Sequence, residues 1–488
     1  MKVKKALILT LICGITFGEP VTGAGEAENC FSIAVGKDAS ADGYVIMAHN
    51  EDDGPPCVVN HYKVPRKAYS PGDKVVLLNG GELDQVGETY SYIHYEIPGF
   101  LFSDSYINEF GVSIASDACP SREDSPELTD GGISYMLRAL VAQRARSARE
   151  GVHIAGGLIE RFGYDGSGRT YVICDPDEGW LFCAVNGKHW MAKRVPDDHV
   201  AAIANTYTVR YIDLSDTVNY LGSSDIIDYA VARGWYDPAA DGEFDFAKAY
   251  ADSGAACHPG NVGRHWAALR FIAADSISLT DVLPFSVVPK GKIDVAALKR
   301  VLRDHYDGTE LYEAETQEEC SHHRTYRSIC RDDTRTSFVV QLRREMPLDL
   351  GITYWVCLGS PCTSFYLPFY FGADRFPAGY AGFPEAPDEE TFDTRLQSPF
   401  VADPGQAFWT FSNFHYHIDN DFHDRLATIQ EKIRALEGRA HDMQAGFESK
   451  LRVLYAADKA AAGGRLVEYS TSLYQAAMDA MAEVMAGK

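Results

Sequence analysis

Cys30-Phe-Ser-Ile-Ala-Val-Gly36 and, shortly after it, Ala48-His-Asn-Glu-Asp52 are the two stretches on which the fold depends. The first is a short run of β-forming residues, and a second such run spans Tyr44–Ala48. Between the two runs, Asp42-Gly43 is a dipeptide that favours a hairpin turn. We therefore predict an antiparallel hairpin in which Cys30 lies at the outer end of the first strand.

The segment that precedes Cys30 has the three parts of a secretion signal. Three lysines within the first five residues are followed by an apolar run at 6–17 and by the small residues Thr22-Gly23-Ala24. The apolar run is too short to span a bilayer. We therefore predict a signal peptide at 1–24, a short propeptide at 25–29 and an exported protein, periplasmic or extracellular, without a membrane anchor.

Composition excludes some partners and leaves others open. The chain has 488 residues, of which 46% are hydrophobic, so it can bury a large core. Its formal charge is −24, from 69 acidic and 45 basic side chains. A charge of that sign repels nucleic acid and anionic membranes, so we predict neither as a partner. The composition leaves open whether the protein forms a homo-oligomer.

After the hairpin, the pattern of apolar residues changes from strands to helices and back. The stretch 135–162 has helical periodicity, with a capping box that begins at Ser147 and a stop at Gly163. Strand-like runs then follow at Thr170–Cys174, Leu181–Ala184, Ala201–Ala204, Phe338–Leu342 and Thr353–Leu358. This order predicts an α+β fold rather than a regular βαβ alternation. We assign 30–423 to one domain, with a surface excursion at 372–406, and 424–488 to a C-terminal helical extension.

The remaining cysteines do not define a disulfide pattern. Nine cysteines are left besides Cys13 in the leader and Cys30, and an odd number leaves at least one unpaired if the others form disulfides within the chain. Buried free thiols are equally compatible with a chain of this length. His322-His323 with Cys320 hints at a metal, but no second cluster at ligand spacing completes it, so we expect no metal or other cofactor.

Cys30 is the strongest candidate for chemistry. If trimming makes it the first residue of the chain, its own α-amino group, with an ordinary pKa of about 7.7–8.0, can act as the base for its thiol. The thiolate is the form that attacks. The sequence therefore predicts a hydrolase of amide bonds whose nucleophile is an N-terminal cysteine.

Beyond Cys30, ordered blocks across most of the mature chain resemble a known family. The blocks that carry the resemblance are Cys30–Gly43, Ala48–Asp52, Asn108–Val112, Asp175–Trp180, Ile203–Asn205, Arg264–Trp266, Arg327–Arg331 and Leu358–Pro361. In these blocks the chain is similar to the dipeptidase D (PepD-type) cysteine peptidases, which are related to penicillin V acylases and bile salt hydrolases within the N-terminal-nucleophile superfamily.

The resemblance implies a fold, an activity and a set of site residues. The fold would be an αββα sandwich of two stacked antiparallel sheets with additional C-terminal helices, and the activity would be hydrolysis of dipeptides through a thioester, after self-cleavage exposes Cys30. The matching positions are Cys30 as nucleophile, Asp52 as the carboxylate that holds its amine and thiol, Asn205 as an oxyanion donor, Asn108 as a second donor, and Arg264, with Arg270 as its rival, as the active-site arginine.

One position departs from the family pattern, and two other functions stay open. His49 stands where the family commonly carries arginine, and a histidine with an ordinary pKa would make a pH-dependent contribution to stabilising the thiolate.

The first alternative function is that of an acylase that cleaves a non-peptide amide of the penicillin or bile-salt type. The second is a non-catalytic secreted binding protein on the same scaffold.

Overall fold

The computed structural model describes residues 30–52, 59–96, 103–313, 322, 326–380, 405–419 and 422–487. The predicted signal peptide and propeptide lie outside the described residues, as do residues 381–404 of the predicted surface excursion. No helix within the described ranges is long and apolar enough to cross a membrane.

The strands, in chain order, are β1 (Phe31–Val35), β2 (Val45–Asp52), β3 (Asn60–Val64), β4 (Lys67–Ala68), β5 (Lys74–Val76), β6 (Glu82–Asp84), β7 (Glu88–Thr89), β8 (Tyr92–Glu96), β9 (Ser103–Asn108), β10 (Ser113–Ala118), β11 (Arg169–Cys174), β12 (Gly179–Ala184), β13 (Trp190–Val195), β14 (Val200–Ile203), β15 (Tyr220–Gly222), β16 (Ser286–Val287), β17 (Thr334–Leu342), β18 (Ile352–Leu358) and β19 (Leu367–Tyr370). The helices are α1 (Met136–Arg144), α2 (Ala148–Phe162), α3 (Ile226–Ala232), α4 (Phe246–Tyr250), α5 (Ser253–Cys257), α6 (Pro259–Ile272), α7 (Val295–Leu302), α8 (Leu348–Gly351), α9 (Ala407–Asp419), α10 (Phe422–Ala457) and α11 (Lys459–Met485), with a 3₁₀ turn at Pro361–Thr363.

Two large antiparallel sheets organise the chain. The first has the strand order β16-β14-β1-β2-β17-β18-β19, and the second has the order β15-β13-β12-β11-β10-β9-β8-β3. Two small ribbons, β4-β7 and β5-β6, lie outside them. The predicted hairpin is β1-β2 in the middle of the first sheet, with Phe31 opposite Asn50 and Val35 opposite Ile46.

Alternation along the strands of the second sheet separates its two faces. Val172 and Cys174 of β11 belong to the core that contains β1, whereas Tyr171 and Ile173 belong to the cluster formed with α1 and α2. Side chains at successive strand positions point to opposite faces, so one face meets the first sheet and the other meets helices. On the first sheet, α6 packs against β14 and α7 against β2 and β17. The predicted αββα sandwich is therefore confirmed.

Local signals fix the two ends of α2. The Ser147 hydroxyl accepts a hydrogen bond from the Glu150 N–H at 3.2 Å, which satisfies one of the unpaired donors of the first turn. Gly163 ends the helix with φ of 79°, a conformation that glycine adopts at low cost. The predicted helical region at 135–162 is thus confirmed as α1 and α2.

Two adjacent glycines test how tightly α2 packs on the second sheet. A Cβ at Gly156 would lie 2.3 Å from an indole carbon of Trp190, whereas a Cβ at the exposed Gly157 would meet nothing within 4 Å. We expect Gly156→Ala to lower the free energy of unfolding by about 1–3 kcal/mol, because the close-packed interface must shift. The matched change Gly157→Ala should raise it by roughly 0.5–1 kcal/mol. Urea unfolding of both variants measures this, and equal effects would contradict the described packing.

The C-terminal helices pack on the first sheet through apolar contacts and buried ion pairs. Ile429 and Ile433 of α10 belong to the same core as the β1–β2 hairpin. Glu448 accepts two hydrogen bonds from Arg343 at the end of β17, at 2.7 and 2.8 Å. The segment from 424 onward is therefore joined to the sandwich by its own buried contacts.

Candidate active site

Cys30 immediately precedes β1, and its side chain is fully buried. Continuing the register of the hairpin places Cys30 opposite Glu51. The Cys30 Sγ–H donates a hydrogen bond to Glu51 Oε2 at 3.1 Å. On the other side, Arg264 Nη1 donates to the Cys30 carbonyl oxygen at 3.3 Å. Cys30 is therefore bonded to a carboxylate through its thiol and to a buried guanidinium through its carbonyl oxygen.

A chain of buried charged groups continues from Glu51 across to the second sheet. His49 Nε2 lies 3.1 Å from both Glu51 Oε2 and Asp104 Oδ2. Asp104 in turn accepts a hydrogen bond from Arg138 of α1 at 2.5 Å. Cys30, Glu51, His49, Asp104 and Arg138 therefore form a continuous polar path through the sandwich, and all five are buried.

The hydrogen-bond directions favour a positive charge on His49. The Ser32 hydroxyl gives its only proton to Asp117 Oδ2, at 2.5 Å. It must therefore accept from His49 Nδ1, which lies 2.8 Å away. The Nε2 atom faces two carboxylates and is also a donor. A ring that donates from both nitrogens is an imidazolium.

Electrostatics support the same protonation state. Burial alone would lower the pKa of His49, but the charge and hydrogen bond of Asp104 and the hydrogen bond of Glu51 outweigh it and raise the pKa from 6.5 to about 10. His49 therefore remains charged at neutral pH, as the arginine of the family would. The pH dependence that we expected from an ordinary histidine does not fit this environment, because two carboxylates fix the charge.

This assignment predicts how the His49 ring titrates. Because its pKa in the folded state is raised above 6.5, the stability that its charge contributes is fully present below pH 6.5 and is lost as pH rises toward about 10. We expect the His49 ring signals in proton–nitrogen NMR to stay constant between about pH 6 and 8. Asp104→Asn should bring the titration of His49 toward neutral pH, because it removes the charge that raises this pKa most. A wild-type His49 that loses its proton near pH 6.5 would contradict the assignment.

Asp52 lies at the end of β2, on the other side of Cys30 from the His49 path. Its Oδ1 accepts a hydrogen bond from Thr334 at 2.6 Å, and its Oδ2 lies 3.8 Å from Arg264 and 3.9 Å from Arg331. Burial and the nearby Asp333 carboxylate raise the pKa of Asp52 to about 8, against the two guanidinium groups. The Oδ2 atom makes no hydrogen bond to any residue that the structure describes.

Arg264 joins Asp52 to Asn205. Arg264 Nη2 donates to Asn205 Oδ1 at 2.7 Å, and Asn205 Nδ2 donates to the Ala118 carbonyl at 2.9 Å. Asn205 has φ of 56°, a left-handed conformation that asparagine tolerates better than most residues. Of the two candidate arginines, Arg264 is fully buried in the site. Arg270 instead points to the surface and bonds the carbonyl of Asp307 at 3.2 Å.

Asn108 does not belong to this group. Its Nδ2 donates to the carbonyls of Ala142 and Ala145, and its Oδ1 accepts from the N–H groups of Phe110 and Val112. Both amide protons are therefore used to join α1 to the end of β9, so Asn108 cannot act as the predicted second oxyanion donor. The sequence block that it belongs to marks a structural junction.

Several residues around the site were missed in the sequence. Glu51 could have been found, because the predicted hairpin places it directly across from Cys30. Asp104 and Arg331 carried no local signal, since their neighbours in space come from distant parts of the chain. Together with the predicted residues, they give the site a thiol, a fixed cation and a second carboxylate with its own guanidinium groups. Perturbed, buried titratable groups of this kind concentrate at functional sites.

Comparison with known proteins specifies the class of protein to which this fold and site belong. The sequence matches peptidase family C69 over residues 29–433. The chain belongs to peptidase family C69 and is a peptide hydrolase, which confirms the family resemblance seen in the motifs.

Several known proteins are similar over most of their length. A probable dipeptidase of Salmonella dublin is 29% identical, over 75% of this chain and 86% of the relative. A probable dipeptidase of Latilactobacillus sakei is 28% identical, over 74% of this chain and 78% of the relative. Among solved structures, a conjugated bile acid hydrolase from Clostridium perfringens aligns with a TM-score of 0.37 and 14% identity, over 67% of this chain and 89% of that one.

Proposed function

We propose that this protein is an exported dipeptidase whose nucleophile is the Cys30 thiol, after removal of the residues that precede it. The observation that carries the proposal is the contact between the Cys30 thiol and Glu51, beside the His49 imidazolium. Relatives that match over most of their length are named dipeptidases, which supports dipeptides as substrates. Export is supported by the predicted signal peptide and by a disulfide at Cys257, a bond typical of oxidising compartments.

Before trimming, Glu51 supplies a base that the α-amine of Cys30 cannot, because that nitrogen is still part of a peptide bond. The thiol proton passes to Glu51, 3.1 Å away, while Sγ attacks the Asn29 carbonyl carbon. The C–N bond breaks, the nitrogen takes the proton, and a thioester joins Asn29 to Sγ. Water then cleaves the thioester, which frees both the thiol and the amine. Self-cleavage therefore needs only groups that this chain holds beside Cys30.

In the mature enzyme, the freed amine acts as the proton carrier for the substrate. The amine takes the thiol proton, Sγ attacks the dipeptide carbonyl, and the leaving amine of the substrate receives the proton. Water that the same amine deprotonates then releases the acyl group from Sγ. Asp52 Oδ2, which makes no hydrogen bond to a described residue, provides an acceptor for the resulting ammonium. Such a cation would favour the charged form of Asp52.

The oxyanion of the tetrahedral intermediate needs donors in a buried site. Asn205 carries the amide group for this role, and Arg264 fixes its orientation through Oδ1. His49 stabilises negative charge near Sγ through Glu51 Oε2, to which both groups are bonded, and this makes it a positioning residue rather than a catalytic one. Asn205, Arg264 and His49 are each held in place for these roles by at least one buried contact.

The decisive measurement is the N-terminus of the active protein. We expect Edman sequencing and intact mass of the secreted, active form to show that the chain begins at Cys30. A chemical probe for thiols should then label Cys30 and stop activity together. Active protein whose sequence begins before Cys30 would contradict the mechanism, because the nitrogen would still be blocked.

The substrate class can be tested by comparing the rates at which the protein hydrolyses dipeptides and acyl amides. We expect release of free amino acids from dipeptides, with little cleavage of penicillin V or a conjugated bile acid. Preferential cleavage of the acyl amides would instead support an acylase. Correctly trimmed protein that hydrolyses no member of the panel, and whose Cys30 does not react with an acylating probe, would favour a binding protein.

A further inference from the structure

A second cluster of reactive side chains lies apart from Cys30. His305, His322, Cys330 and Cys362 bring two ring nitrogens and two sulfur atoms within 4.8 Å of one another. They come from distant parts of the chain: His305 follows α7, Cys330 precedes β17, and Cys362 lies in the 3₁₀ turn. Neither Cys330 nor Cys362 is in a disulfide.

The spacing within this cluster is that of a tetrahedral metal site. His322 Nε2 lies 3.2 Å from Cys362 Sγ and 3.7 Å from Cys330 Sγ. Zinc bonds sulfur at about 2.3 Å and nitrogen at about 2.0–2.1 Å, so a zinc tetrahedron separates its ligand atoms by about 3.3–3.8 Å. The two measured separations therefore match those around a bound ion to within a few tenths of an ångström.

Most of the cluster is also shielded from water, and it contains a buried ring nitrogen without a hydrogen bond. Cys330 and Cys362 are 0% and 2% exposed, and the His322 side chain is 0% exposed. His305 Nε2 is buried and makes no hydrogen bond to a described residue. Leaving a buried polar nitrogen without a partner is costly, which points to a ligand that is bound at this position.

We propose that His305, His322, Cys330 and Cys362 bind one zinc ion in a closed, tetrahedral, structural site. Two nitrogens and two thiolates form one of the common ligand sets of structural zinc. All four positions are filled by the protein, so the ion has no open position for water or substrate. The site is therefore distinct in kind from the hydrolytic centre.

Contacts around the ligands fit this assignment. His322 Nδ1, on the opposite side of the ring from the sulfur atoms, lies 3.9 Å from Asp419 Oδ1 of α9. Histidines that bind metals commonly direct their second nitrogen to a carboxylate, which orients the ring. The Cys330 N–H donates to the Asp304 carbonyl at 3.1 Å, next to His305. The backbone thus already holds two of the four ligands together.

The position of the site gives it a structural purpose. Cys330 is followed by Arg331, whose guanidinium lies 3.9 Å from the Asp52 carboxylate, and the Arg331 carbonyl accepts from Ser360 at 2.6 Å. An ion bound by Cys330 and Cys362 therefore joins the two segments that hold Arg331 against Asp52. Of the motif that hinted at metal in the sequence, His322 takes part, whereas Cys320 and His323 lie outside the described residues.

The first test is the metal content of the full, secreted chain produced in medium that contains zinc. We expect inductively coupled plasma mass spectrometry to find one zinc ion per chain in the wild type. In Cys330→Ser and Cys362→Ser the zinc content should fall to less than about a tenth of that value. The matched control Cys183→Ala removes a buried thiol outside the cluster and should keep the full zinc content. Cys30→Ala should also keep it, so loss of the hydrolytic centre and loss of the metal are distinguishable.

The second test uses the wild-type chain, so that it does not depend on the folding of the variants. A mercurial that binds thiolates should release one zinc per chain to a chromogenic indicator. After chelation, mass mapping should show Cys330 and Cys362 newly alkylated, with Cys183 still protected. Replacement of zinc by Co²⁺ should give the visible absorption of a tetrahedral cobalt thiolate site. A metal-free native chain, or a disulfide between Cys330 and Cys362, would overturn the proposal.

Discussion

Replacement of Cys30 by alanine is expected to lower kcat for dipeptide hydrolysis by at least about 10³-fold, because no other group near the site can form the thioester. The other described free cysteines are also buried and lie in other parts of the fold. The loss should therefore be specific to this one thiol. Steady-state rates on a dipeptide, with active-site concentration from a thiol probe, measure it.

Two further variants separate the chemistry from trimming. Cys30→Ser retains a hydroxyl nucleophile and should keep a residual rate above that of Cys30→Ala, since a weaker nucleophile remains. Cys30→Ala should accumulate with residues still attached before position 30, because self-cleavage uses the same atom, whereas Cys30→Ser should be trimmed slowly and be active only in its trimmed fraction. Cys183→Ala is the matched control and should be trimmed and active. A Cys30→Ala protein that hydrolyses dipeptides at the wild-type rate would remove the mechanism.

The part of the fold that local chemistry specifies could be predicted from the sequence. Ser147 and Gly163 act within a few residues of themselves, so the ends of α2 follow from capping alone. The β1–β2 hairpin follows from two strand-forming runs and the turn between them. The order of the sheets does not, because β17 joins β2 after nearly 300 residues of intervening chain. For that, only the family resemblance was informative.

The electrostatics of the site could not be predicted in the same way. The sequence places His49 near Cys30, but its charge depends on Asp104, which arrives from the opposite sheet. Nor does the family block around Asn108 reveal that this side chain joins α1 to the end of β9 through its amide protons. The complete set of zinc ligands could not be found in the sequence either, because one of them is distant in the chain. Three of the ligands lie within 26 positions of one another, whereas Cys362 comes from the 3₁₀ turn after β18.

The buried path from Cys30 to Arg138 is itself an argument for function. Burying several charged groups in the core of a sandwich is costly, and apolar residues of similar volume often give equal or greater stability. A fold retains such groups where they hold a charge in a required place. Here the path ends at the Cys30 thiol, which donates to Glu51, and His49 keeps its charge across the neutral range. Stability alone gives no reason for that arrangement.

Removal of the Asn205 amide is expected to give the second large loss of activity. Asn205→Ala should lower kcat by roughly 10²–10³-fold if Nδ2 donates to the oxyanion, because that bond forms mainly in the transition state. The φ of 56° complicates the alanine variant, since a left-handed alanine carries a strain of about 1–2 kcal/mol. Asn205→Gly removes the same donor without the strain, so a loss that both variants share belongs to the side chain.

Asn205→Asp decides whether the residue donates a proton or only holds Arg264. Aspartate keeps the oxygen that accepts from Arg264 at 2.7 Å and tolerates the same backbone conformation, but it has no amide proton to give. If Asn205 merely positions Arg264, the aspartate variant should recover most of the wild-type kcat. If it is the oxyanion donor, kcat should stay as low as in Asn205→Gly. An increase in KM at unchanged kcat in all three variants would show that Asn205 contributes equally to the ground state and the transition state, which is incompatible with an oxyanion donor.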